Sequence, residues 1–169
     1  MHELTLLLPR SAFTPREVAR AGDVWRAFQD LAVFASIEVG WPPQRYRREA
    51  CSFVVREMSV VHARETWYGE ALRGRTCISR VRREMFFQRE CELEGDGASL
   101  IARATQQWVH VSADLVPARA PASLTGAFAV HAALAPVDLP AFEPIEGARE
   151  HVFELECWHT WMDPLGHVH

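Results

Sequence analysis

The sequence predicts an α+β fold in which one long buried helix is wrapped by a curved antiparallel sheet. Two observations predict it. Residues 24–39 read as a helix whose apolar side chains (Val24, Trp25, Ala27, Phe28, Leu31, Ala32, Val33, Phe34, Ala35, Ile37) cover nearly every face. A helix apolar all round is a buried helix. Beyond Pro43 the apolar spacing changes from the helical period to the strand period, and four long strand-like runs follow. A strand, a buried helix and then a run of strands is an α+β order, and wrapping the sheet around the helix is the simplest way to bury it.

The elements follow in order. Residues 3–8 are a short apolar run that reads as a strand. Thr14, Pro15 and Glu17 then match a helix start: a Thr N-cap, a proline at the first helical position and a glutamate that completes a capping box. Gly22 and Asp23 interrupt, and Asp23 can cap a second start leading into the long helix. Gly40 ends that helix, and Pro42 and Pro43 prevent its continuation. Residues 52–62, 71–81, 84–92 and 99–111 read as strands. Gly69-Glu70 makes a turn, Arg82-Arg83-Glu84 a bulge or tight connection, and Gly95-Asp96-Gly97 a hairpin turn. Residues 116–149 contain Pro117, Pro121, Pro136, Pro140 and Pro144 and read as a Pro/Ala-rich linker with one short helix near 122–129. A strand at 150–161 leads into the final Asp163-Pro164-Leu165-Gly166-His167-Val168-His169.

Composition narrows the function. A chain of 169 residues can bury a core without crosslinks. No apolar run is long enough for a membrane span, and Met1-His2-Glu3-Leu4 lacks the basic start of a secretory signal, so a cytoplasmic protein is expected. A net charge of −4 argues against nucleic acid as the main partner. All 18 basic residues are arginine. That excludes lysine nucleophile or Schiff-base chemistry and leaves anion binding to guanidinium groups. Cys51, Cys77, Cys91 and Cys157 show no C-x-x-C spacing and read as reduced thiols. Cys157, His159, Asp163, His167 and His169 are zinc-type donors, but their spacing is no known ligand pattern, and neither metal nor cofactor is expected.

Three stretches resemble one family. The helix segment Phe28-Gln29-Asp30-Leu31-Ala32 resembles the central helix of plant-type acyl-ACP thioesterases, and residues 101–109 resemble their last strand. Asp163 and His167 fall at that family's Asp-x-Asn-x-His positions, with Leu165 in place of the Asn. Asp163-Pro164-Leu165-Gly166 also resembles the active-site turn of 4-hydroxybenzoyl-CoA thioesterases. The resemblance implies a hotdog fold at 1–115, a linker at 116–149, and at 150–169 the opening of a second, truncated hotdog repeat. It implies hydrolysis of acyl-CoA or acyl-ACP thioesters, with the site between two hotdogs and therefore a homodimer, a higher homo-oligomer or a double hotdog.

Such hydrolysis needs a carboxylate and donors for the developing oxyanion. The resemblance points to Asp163, with His167, as the carboxylate site. Asp30, eight residues after Gly22, resembles the catalytic Asp of phenylacetyl-CoA-type thioesterases, with Ala21-Gly22-Asp23 in place of their His-Gly-Gly. A place on the solvent stripe of the helix, or pairing with Arg26, is its structural alternative. Backbone N–H groups at Gly22, Asp23 and Val24 are placed as oxyanion donors at a helix N-terminus. Gln29 could orient water or a carbonyl. Arg45, Arg47 and Arg48 could meet a CoA or carrier phosphate, or be a solvated loop. A hotdog dehydratase or hydratase, and a non-catalytic acyl-CoA-binding or structural half, are the alternative functions.

Overall fold

The computed structural model describes residues 1–141, 143, 147, 149 and 151–157. Met1–Leu139 is one compact unit and Pro140–His169 a second, smaller one. The first contains β1 (His2–Leu6), α1 (Ala21–Glu38), α2 (Pro43–Arg48), β2 (Cys51–His62), β3 (Leu72–Arg82), β4 (Phe86–Glu94), β5 (Leu100–Ser112) and α3 (Ala122–Thr125). Its strands form one antiparallel sheet in the order β1-β3-β4-β5-β2, curved around α1 as expected.

Helical spacing explains which face of α1 meets the sheet. Val24, Ala27, Phe28 and Leu31 recur at that spacing and pack on Leu72, Cys91, Leu93, Ile101, Ala102 and Ala104. The closest approach is at Gly74, which faces Leu31. A Cβ there would stand 2.8 Å from Leu31 Cδ1 and nearer still to Cδ2. Leu31 is fully buried and cannot swing aside. Farther along the sheet, Trp41, Ile78, Phe87, Leu124 and Phe128 form a second apolar cluster.

The expectation that α1 is buried all round is corrected. Trp25, Val33, Phe34 and Ile37 are each more than 40% exposed. Only the stripe facing the sheet is covered, because a single sheet touches a single side of a helix. The capping box is corrected as well. Thr14 to Glu17 form a turn, with the Glu17 N–H donating to the Thr14 C=O at 2.9 Å and the Thr14 N–H to the Val18 C=O at 2.9 Å. Bridges Phe13↔Ala19 and Val18↔Trp67 hold this stretch extended, so α1 begins only at Ala21, capped by backbone at Arg20 with no side-chain cap. Pro42 and Pro43 do more than stop α1: Pro43 opens α2, which the sequence reading missed.

Arg82-Arg83-Glu84 is a two-residue hairpin turn. Arg83 and Glu84 have φ of 54° and 55°, and the Met85 N–H donates to the Arg82 C=O at 3.1 Å. Both central residues take the left-handed form that matches strand twist. Residues 116–139, expected as linker, belong to the first unit. The Ala120 N–H donates to the Glu84 C=O at 2.7 Å, the His131 N–H to the Ile78 C=O at 2.9 Å and the Val137 N–H to Thr105 Oγ1 at 2.7 Å. Leu124 and Phe128 of this segment pack with Phe87 on the α1 side. Ala104 faces α1, so by strand alternation Thr105 faces the other way, and the segment reaches the back of the sheet at Val137. Within the expected strand at 150–161, the described residues 151–157 form no strand and are exposed. Asp163, His167 and the remainder of the terminal motif lie outside the described residues.

One ion-pair network stitches the loop after β2 to the β4–β5 hairpin. The Glu70 carboxylate accepts from the Arg64 guanidinium, from Thr66 Oγ1 at 2.8 Å, from the Trp67 N–H at 3.1 Å and from the Asp96 N–H at 3.3 Å. The Arg64 partner, followed by these hydroxyl and backbone donors, outweighs burial and holds the Glu70 pKa at about 2.

Two predictions follow from the packing and this network. Leu31→Ala should lower unfolding free energy by about 2–5 kcal/mol and Gly74→Ala by about 1–3 kcal/mol, with Gly74→Ala costing less in the Leu31→Ala background, where the clash is relieved. Denaturant titration of the three variants measures this, and strict additivity would contradict the close approach. Because the folded Glu70 pKa is depressed, its stabilisation is present above the ordinary carboxylate range and is lost as pH falls toward about 2. Glu70→Gln should therefore cost on the order of 2–3 kcal/mol near pH 7, with the gap to wild type closing between about pH 4.5 and pH 2. Thermal unfolding across that range reads it out.

Candidate active site

The N-terminus of α1 is open. The N–H groups of Asp23 and Val24 donate to the Arg20 C=O at 3.0 and 3.2 Å, which commits two of the three expected oxyanion donors. The Gly22 N–H remains, and the Ala21 N–H joins it: among the described residues neither has an acceptor. A Cβ at Gly22 would meet nothing within 4 Å, so the position opens onto free space. Two adjacent amides at the positive end of a long helix form a donor pair for an oxyanion. The Asp23 carboxylate accepts from Arg26 Nη1 at 2.8 Å, so its charge is neutralised beside those amides.

Asp30 stands two turns along α1 on its outward side. Arg26 is occupied by Asp23, and Asp30 makes no hydrogen bond or ion pair among the described residues. The residue is exposed, yet the bulk around it removes water from its carboxyl and raises its pKa. An unpaired carboxylate with a raised pKa is a stronger base than a surface aspartate. Gln29, adjacent to it, is half-buried. His62, at the end of β2, accepts from Trp25 Nε1 at 3.0 Å and so lies against the first turns of α1. The sequence reading did not single it out, because only the register of β2 brings it there.

Other expected groups are absorbed into structure. Arg45 lies 4.0 Å over the Trp41 ring and donates to the Gly40 C=O at 3.0 Å. Arg45 and Arg48 pair with Glu49, while Arg47 is exposed on α2. Cys77 and Cys91 are buried free thiols, and burial raises Cys91 to about 12. Cys51 is half-buried and Cys157 exposed. Among the described residues no group of three or more His, Cys, Asp or Glu could hold a metal ion, and no helix is long and apolar enough to cross a membrane.

Buried polar residues were the larger omission. In β4, Phe87, Arg89, Cys91 and Leu93 share one face, and Gln88, Glu90 and Glu92 the other. Glu90 is fully buried on the back of the sheet, where its carboxylate accepts from Ser79 Oγ at 2.7 Å, Gln88 Nε2 at 2.8 Å and Thr105 Oγ1. Arg89 and Gln106 are buried on the α1 side. The available signal was parity: both interrupt otherwise apolar rows of strand residues.

No protein-family model and no curated protein matches the sequence. Solved structures match it in fold. An acyl-ACP thioesterase from Bacteroides thetaiotaomicron aligns with 99% of this chain and 68% of its own length, at a TM-score of 0.80 and 14% identity. A 1,4-dihydroxy-2-naphthoyl-CoA thioesterase from Synechocystis aligns over 74% of this chain and 93% of its own, at a TM-score of 0.67 and 13% identity. A Staphylococcus aureus protein solved in complex with CoA aligns over 89% and 94%, at a TM-score of 0.70 and 10% identity. At these identities the likeness establishes the architecture: the chain has the hotdog fold found in these thioesterase structures.

Proposed function

We propose that the protein hydrolyses acyl thioesters carried by CoA or by an acyl carrier protein. The observation that carries this reading is the open α1 N-terminus, with the Ala21 and Gly22 amides unpaired at the end of a helix seated in a hotdog sheet. The thioester carbonyl oxygen would accept from these amides. A carboxylate would take a proton from water as the water oxygen bonds to the carbonyl carbon. Negative charge would collect on the oxygen held by the amides. Collapse of the tetrahedral species would break the C–S bond, and the leaving thiolate would take up the proton.

Asp163, with His167, is the carboxylate site we propose, on the resemblance of its turn to thioesterase turns. Asp30 is the second candidate, supported by its unpaired state and raised pKa. Gln29 would orient the water or carbonyl. Hydrolysis of a panel of acyl-CoA and acyl-ACP substrates tests the reaction. Asp163→Ala should lower kcat about 10²–10⁴-fold, while Asp30→Ala stays within a few-fold of wild type. The reverse ranking would move the carboxylate to α1, and binding without turnover by wild type would replace the enzyme with an acyl-binding protein.

We further propose a homodimer. Among the described residues β2, twelve residues long, is bonded only to β5 and leaves its outer edge unpaired. Trp25, Val33, Phe34 and Ile37 expose an apolar helix face. An open edge and an apolar face are features that a second copy would cover. Light scattering should give a dimer for wild type and a monomer for the folded Phe34→Asp, Ile37→Asp double variant. A monomeric wild type would contradict this.

A further inference from the structure

Arg89 is a cation with no anionic partner among the described residues. It is 4% exposed, in the middle of β4, on the side of the sheet that carries Phe87, Cys91 and Leu93. Its Nη1 donates to Thr76 Oγ1 at 3.2 Å, and its guanidinium lies 5.7 Å from the centre of the Phe128 ring. No carboxylate among the described residues reaches it. Glu90, its neighbour in sequence, points to the other face and is saturated by Ser79, Gln88 and Thr105. Arginine does not solve the problem by losing its proton, and a desolvated charge without a partner is costly.

Nearby groups add donors rather than acceptors. The Tyr46 hydroxyl is buried beside the Ser36 hydroxyl, which itself donates to the Ala32 C=O at 3.0 Å, and no other group among the described residues bonds it. Burial first, moderated by Ser36 and Arg89, pushes the Tyr46 pKa up to about 12, so the hydroxyl keeps its proton. Gln106 is paired in register with Arg89. Its Oε1 is taken by Trp108 Nε1 at 2.8 Å, and its amide N–H meets only the Met58 sulfur at 3.4 Å. A guanidinium, a hydroxyl and an amide, all under-used, lie in the aromatic surroundings of Trp41 and Phe128. That set of groups is complementary to a small, singly charged acceptor with apolar substance attached.

We infer that Arg89, with Tyr46 and Gln106, forms a buried carboxylate-binding subsite that receives the far end of a dicarboxylic acyl group. The choice of an acyl end rests on the thioesterase reading above; a free monocarboxylate has the same chemistry. The full-length protein serves for both tests. In thermal unfolding, free short-chain monocarboxylates should stabilise wild type in a concentration-dependent way and leave Arg89→Met unmoved. In hydrolysis, wild type should prefer a dicarboxylic acyl-CoA over the monocarboxylic acyl-CoA of equal length. Arg89→Met should lose roughly 10–100-fold in kcat/KM on the former and little on the latter, the loss expected for a charge-assisted hydrogen bond. Arg89→Lys, which keeps charge without the fork, should recover part of the preference.

Equal losses on both substrates would make Arg89 structural and overturn the subsite. Stabilisation by free carboxylates without any acyl preference would overturn the acyl-end assignment. Carboxylate stabilisation that depends on Arg89, in a protein that hydrolyses no thioester, would uphold the subsite while removing the thioesterase reading. The absence of both effects would remove the subsite itself.

Discussion

Leu31 and Gly74 fix where the helix sits. The sheet can wrap α1 closely only because β3 has no side chain at the point of contact, and Leu31 occupies the space a Cβ would need. The rest of the packing follows. Val24, Ala27 and Phe28 are brought down on Leu93, Ile101 and Ala104, and the start of α1 is held at one end of the sheet with its first amides outward. A helix held rigidly by its middle presents its N-terminus at a fixed place, which a preorganised oxyanion site requires.

Polar order is spent on both faces of the same strand. Glu90 ties β3, β4 and β5 together on the back of the sheet, and Thr105 links that knot to Val137 in the segment that covers it. Arg89, one residue away, faces the helix side with no carboxylate partner among the described residues. The first arrangement satisfies every donor it meets and reads as architecture. The second leaves donors unused, as a binding function requires and a structural one does not.

Much of the architecture was legible in the sequence. The four long runs of alternating residues became β2 to β5, and the terminal Gly95-Asp96-Gly97 signal marked the last hairpin. Local chemistry misled where tertiary pairing overrode it. Thr14-Pro15-Arg16-Glu17 has the residues of a helix start, but bridges to Ala19 and Trp67 hold its flanks extended. The apolar content of α1 was legible, whereas its burial was not, because Phe34 and Ile37 have no covering layer within the described residues. In the candidate site, Gly22 and Asp30 could be named from spacing. The loss of the Asp23 and Val24 amides to the Arg20 C=O, and the approach of His62 to Trp25, depend on backbone geometry that spacing does not encode.

We propose that the outward amides of α1 receive the thioester carbonyl. Amide NMR of the ¹⁵N-labelled protein, titrated with a non-hydrolysable thioether analogue of an acyl-CoA that retains the carbonyl, tests it most directly. The Ala21 and Gly22 amides should shift most and move downfield as they gain an acceptor. Saturable binding that leaves both amides where they were would contradict it.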